Sequence, residues 1–187
     1  MDWRITLGIG AGILQVISNI PYIRDMLRGT TRPNIFSYVI WFILALIAVA
    51  AQWSAGASWS ILILVAVVLN TSIIILLALK GYGYKRYTWL DWACLALGIA
   101  AIIVWKVTNN PVAALIMALA ASVLADIPTV FKTYREPHTE LALSWLIAAC
   151  AAILGIFSAK WNVANLIFPI YYLIESFTIS GLAFLRR

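Results

Sequence analysis

Two carboxylic acids stand inside apolar stretches of this chain. Asp126 falls within the run from Pro111 to Phe131, and Glu175 near the middle of the run from Val163 to Leu185. At such depth an ionisable group costs several kcal/mol unless it faces a polar interior, finds a partner or carries a proton. Both acids are therefore candidates for proton coupling, the alternative for each being an interhelical hydrogen bond that only holds helices together. Gln15 and Asn19, four residues apart, share one helical face, and Ser122 and Asp126 repeat that placement. A matched polar stripe fits a pore lining or helix-to-helix hydrogen bonding. Asn70, beside Thr71 and Ser72 in another apolar run, has the same two readings. Pro21 and Pro128 lack an N–H and clash with the carbonyl four residues back, so they can serve as hinges or as static kinks.

Other chemistry has no foundation in the sequence. His138 is the single histidine, so a His-based metal cluster is not expected. Cys94 and Cys150 lie in separate apolar runs without metal-ligand spacing and read as packing residues without a disulfide. Gly81-Tyr-Gly83 is a short turn and not a phosphate loop. No cofactor, metal or enzymatic activity is expected.

The elements that must carry these residues follow from composition. Of 187 residues 64% are apolar and 11% charged, with mean hydropathy +0.98, against nearly half apolar and about a quarter charged in soluble domains. The apolar segments run from Ile5 to Met26, Phe36 to Trp53, Trp59 to Leu79, Trp89 to Val107, Pro111 to Phe131, Leu141 to Phe157 and Val163 to Leu185. Each is close to the ~20 residues that cross ~30 Å of hydrocarbon. Helices are expected throughout, because barrel strands alternate in character and the continuous stretch Ile61 to Leu69 does not.

Orientation follows from the basic residues. Arg24, Arg28, Arg32, Lys80, Lys85, Arg86, Lys132, Arg135, Arg186 and Arg187 fall on one side, and Arg4, Lys106 and Lys160 on the other. The N-terminus is thus expected outside and the C-terminus in the cytoplasm. The net charge of +6 belongs to this topology, and no nucleic acid is expected. Met1-Asp-Trp-Arg lacks a basic leader, so the first run is expected to stay as a span. Trp3, Trp53, Trp59, Trp89, Trp105 and Trp161 fall near helix ends, as interface anchors do.

The chain also repeats itself at an offset of 107 residues: Val16 matches Val123, Ile20-Pro21 matches Ile127-Pro128, Arg28 matches Arg135 and Ser37 matches Ser144. Asn19 pairs with Asp126, Gln15 with Ser122, and Tyr38 with Trp145. Three spans form an odd unit, so two direct copies would be inverted. The run Trp89 to Val107 supplies the crossing that restores a parallel arrangement. The expected fold is an all-α membrane protein of seven transmembrane helices arranged 3+1+3, with repeats at 1–87 and 109–187 and a linker helix at 88–108. Many carriers hold solute where such repeats meet.

With these residues in view, the chain resembles the PQ-loop or SWEET-like (MtN3/saliva-type) transporters. The first copy of their motif runs from Asn19-Ile-Pro21 through Arg24 and Arg28 to Ser37-Tyr, and the second from Asp126-Ile-Pro128 through Lys132 and Arg135 to Ser144-Trp. Tyr22 and Thr129 stand where the motif has glutamine, and Ile40 and Ile147 near where sugar-carrying members place a further proline. The resemblance implies a facilitator or proton-coupled carrier moving a small polar solute, such as a sugar, by alternating access, in a bacterial or archaeal plasma (inner) membrane. It implies Pro21, Pro128, Ser37 and Ser144 at hinges or gates. It implies Asn70 against the solute with Trp41 or Trp145 nearby, and Asn165 or Glu175 as the counterpart of Asn70. Gln15 and Asn19 complete the expected binding set, and Tyr171 and Tyr172 are further candidates for the path. A ligand or cargo receptor on the same scaffold, or a carrier of an amino acid or vitamin, is the alternative, and homo-oligomerisation is left open.

Overall fold

The computed structural model describes residues 2–84, 87–108 and 110–186. Lys85, Arg86 and Arg187, counted above toward orientation, lie outside the described residues, as do the side chains of Cys94 and Trp105. Among the described residues the chain forms seven α-helices and no strand. They are α1 (Trp3–Leu27), α2 (Ile35–Ser54), α3 (Ile61–Leu77), α4 (Trp89–Thr108), α5 (Pro111–Arg135), α6 (Ala142–Ser158) and α7 (Val163–Leu185). A π-helical turn at Ala78–Tyr82 extends α3, and a 3-10 turn at Pro137–Thr139 precedes α6.

Local chemistry sets where the helices start and stop. Asp2, Asn34, Asn110 and Asn162 cap α1, α2, α5 and α7, each side-chain oxygen accepting from a first-turn N–H that has no partner inside the helix. Pro111 opens α5, where a missing N–H costs nothing. Gly29, Gly56 and Gly81 adopt φ of +76°, +74° and +102°, the left-handed region that lets a chain leave a helix. The fifth apolar run was expected to end at Phe131, yet α5 continues to Arg135 and buries Lys132 and Thr133. An ion pair between Lys132 and Glu140 explains that extension.

Among the described residues five helical stretches are long and apolar enough to cross a membrane: Trp3–Leu27, Ile35–Ser54, Ile61–Tyr82, Leu115–Arg135 and Val163–Leu185. The 17 residues of α6 rise about 26 Å, at the short end of what spans, and α4 is outside the set of five. Large apolar side chains such as Ile13, Leu69, Ile174 and Phe184 point outward, a surface suited to lipid and not to water. The chain is an integral membrane protein on these features.

Inside, small residues let the backbones approach closely. Ala45, Ala48 and Ala51 of α2 and Ala148, Ala151 and Ala152 of α6 are buried. At Gly8 a Cβ would stand 2.6 Å from the Trp59 Cβ and carbonyl, so only glycine admits this approach. Helix α3 packs on both α1 and α2, and α7 on both α5 and α6. Across the molecule α1 packs on α6 and α2 on α5, while α4 lies against α5 and α2.

Candidate functional site

A cavity of ≈ 40 Å³ opens between α1, α2, α3, α6 and α7, with room for about three water molecules. From α1 come Gln15, Ser18, Asn19 and Tyr22, a set at helical spacings of three and four that forms one face. Tyr38 and Trp41 of α2 and Ser144 and Trp145 of α6 face them. Asn70 and Thr71 of α3, and Phe168, Tyr171, Tyr172 and Glu175 of α7, complete the polar and aromatic wall.

The expected binding residues divide at this wall. Asn70 donates through Nδ2 to the Gln15 carbonyl oxygen at 2.8 Å, and Asn19 Nδ2 donates to that same oxygen at 3.2 Å. Gln15 Nε2 donates to the Tyr172 hydroxyl at 2.8 Å, leaving Oε1 buried and unpartnered. Ser144 Oγ is also buried without a partner. The rings of Trp41 and Trp145 meet edge to face at 5.8 Å and 75°, Tyr38 meets Trp41 and Tyr22 meets Trp145 in the same way, and the two tyrosines are tilted against each other. Such arrangements suit the quadrupoles of the rings.

Glu175, 6% exposed, lines the cavity with Asn70. Asn165, its rival in α7, does not: it sits in the first turn, where Nδ2 donates to Asn162 Oδ1 at 2.8 Å and Oδ1 accepts from Ser58 Oγ at 2.8 Å. Asp126 stands behind the wall, accepting from Trp41 Nε1 at 2.8 Å and from the Tyr171 hydroxyl at 2.9 Å. It borders a second, mostly apolar groove of ≈ 350 Å³ between α5 and α7, which Glu175 also reaches. Pro21 and Pro128 lie inside α1 and α5, off the cavity. Ser37 is likewise off it, donating to the Ala125 carbonyl at 2.8 Å and accepting from Thr129 Oγ1 at 3.0 Å.

Polar clusters join helices and connections at both ends of the molecule. At the end rich in basic residues Glu140 is the hub, its side chain wholly buried. It pairs with Lys132, accepts from Tyr22 Oη at 3.2 Å and accepts from Trp145 Nε1 at 2.9 Å. Lys132 also donates to the Arg32 carbonyl at 2.8 Å, and the Arg32 N–H donates to Thr139 O at 3.1 Å. At the opposite end Ser58 reaches Asn165, and Lys160 Nζ donates to the Gly56 carbonyl at 2.7 Å.

Several of these residues were absent from the expected site. Tyr22 follows Asn19 by three positions and Tyr38 precedes Trp41 by three, so helical spacing alone could have placed both. Phe168 and Glu140 carry no such signal, because one is an aromatic among many and the other an acid in a connection. Among the described residues no three His, Cys, Asp or Glu side chains gather as metal ligands would. No protein-family model matches the chain, and neither curated proteins nor solved structures yield a match.

Proposed function

We propose that this chain is a membrane carrier of a small polar solute, working by alternating access around the cavity between two three-helix bundles, as the resemblance to PQ-loop and SWEET-like proteins implies. The observation that carries the reading is a polar and aromatic cavity walled by helices of both halves, with polar clusters joining helices at each end of the molecule. A carrier needs two closures that open in turn. Here the clusters join different helices to one another: Glu140 reaches α1 and α5, and Asn165 reaches the α2–α3 connection.

Helix packing supports the 3+1+3 reading. Exchanging α1 with α5, α2 with α6 and α3 with α7 turns the α1–α6 contact into the α5–α2 contact and leaves each third helix against its own two partners. Such an exchange is what two repeats would give, and the parallel reading places their axis along the membrane normal with α4 as the linker. The N-terminus lies outside and the C-terminus in the cytoplasm on this reading, and Pro21 and Pro128 flex as the halves rock. Coupling to protons through Asp126 or Glu175 is part of the same proposal.

Counterflow into liposomes holding the purified chain, run against a panel of sugars, amino acids, vitamins and amines, is the test. Accelerated exchange of one solute supports the carrier. Tight binding without exchange supports a receptor instead, and neither binding nor exchange of any panel member counts against both.

A further inference from the structure

Resting on the carrier reading, one question is which solute chemistry the cavity suits. Among the described residues its wall holds seven aromatic residues, and Glu175 is the only Asp, Glu, Lys, Arg or His on it. A second acid, Asp126, is linked to that wall through Trp41 Nε1 and the Tyr171 hydroxyl. Among the described residues neither acid has an ion-pair partner, and Lys132, the one basic residue in the buried set, is committed to Glu140. The free hydrogen-bonding groups at the wall include Gln15 Oε1, which can only accept, and the Ser144 hydroxyl.

An acid within a span calls for a proton or a counter-charge. Aromatic faces around a carboxylate, with acceptors free and no cation nearby, attract a positive group with N–H or N–CH₃ edges. A neutral polyol would leave a proton as the only means of neutralising Glu175, an anion would meet repulsion, and a cationic solute supplies the counter-charge itself. We infer that the cavity binds a small organic ammonium ion, its positive group held between Glu175 and the rings of Trp41 and Trp145.

The probes are radiolabelled methylammonium, ethanolamine and choline, bound to the purified full-length chain in detergent. Competitors are 3,3-dimethylbutan-1-ol, the neutral isostere of choline, and glucose. At least one amine should bind at millimolar concentration or tighter, and the isostere should compete about tenfold more weakly or worse. Glu175→Gln should weaken amine binding about tenfold while leaving the isostere unaffected. Trp41→Leu should lose binding and Trp41→Phe retain most of it, a pair that carries the test if Glu175→Gln fails to fold. No binding of any amine overturns the assignment, as does equal competition by the isostere or glucose.

An ammonium headgroup of a lipid could reach Glu175 through the groove between α5 and α7. Val123→Phe obstructs that groove alone. Loss of binding with Val123→Phe but not with Trp41→Leu puts the ammonium in the groove and overturns the cavity assignment. Amine binding without counterflow removes the carrier reading and leaves the ligand class standing. Counterflow of a neutral solute that amines do not inhibit does the reverse.

Discussion

Replacing Lys132 with Met tests whether Glu140 is the keystone of the basic end. The two side chains are 2% and 0% exposed, so the pair is sealed from water. Removing one partner of a buried pair leaves a charge without compensation and costs about 3–5 kcal/mol. Glu140 would still accept from Tyr22 and Trp145, which places Lys132→Met near 3 kcal/mol, the lower end of that range. Glu140→Gln should cost a similar amount, since it leaves the ammonium of Lys132 without an anionic partner, facing only the Arg32 carbonyl, the Tyr84 ring and a neutral amide. In the double variant no buried charge remains unpaired, and the loss should fall to about 1–2 kcal/mol, that of weakened hydrogen bonds. Unfolding in mixed micelles of increasing SDS content, followed by helical circular dichroism, gives all three values. Costs below about 1 kcal/mol for both single variants, or strict additivity in the double variant, would refute the reasoning.

Three further outcomes follow from named contacts. Gly8→Val should destabilise the same unfolding transition by about 1–3 kcal/mol, because its Cβ meets Trp59 at 2.6 Å; an unchanged midpoint would show that α1 is not held against Trp59. Asn110→Ala should cost about 1 kcal/mol by freeing the N–H groups of Val112 and Ala113, a loss that Asn110→Ser should largely restore in the same assay. Asn70→Ala removes one hydrogen bond to the Gln15 carbonyl and should lower stability by only about 0.5–1.5 kcal/mol, while solute exchange falls at least tenfold; undiminished exchange would take Asn70 out of the solute path.

Much of the architecture can be read from the residues because lipid demands it. Continuous apolar runs bounded by Asn, Pro and Gly put the start of α5 at Pro111 and of α7 at Val163, where the structure also begins them. Where α5 ends was not legible, because a lysine after an apolar run normally marks water. Lys132 is buried only because Glu140 arrives from eight residues further along. The same limit applies at the cavity. Gln15 and Asn19 stood out as a polar pair at helical spacing, Asn70 as a polar group inside an apolar run, and Trp41 and Trp145 through the family resemblance, and all line it. The choice between Asn165 and Glu175 depended on how far along α7 the cavity lies, a matter of three-dimensional register that residue types do not encode. Asp126 stands one shell behind its repeat partner Asn19, because the rings of Trp41 and Tyr171 fill the space in front of it.

The measurement closest to the central claim is thiol accessibility at the cavity wall. With Cys94 and Cys150 replaced by serine and Ser144 by cysteine, a membrane-impermeant maleimide is applied to right-side-out and to inside-out vesicles. Alternating access predicts that Ser144→Cys is labelled from either face. Solute should protect the site from both faces, and Glu140→Gln should speed labelling from the basic side. Labelling from one face only, or from neither, would contradict a cavity that opens in turn to the two sides of the membrane.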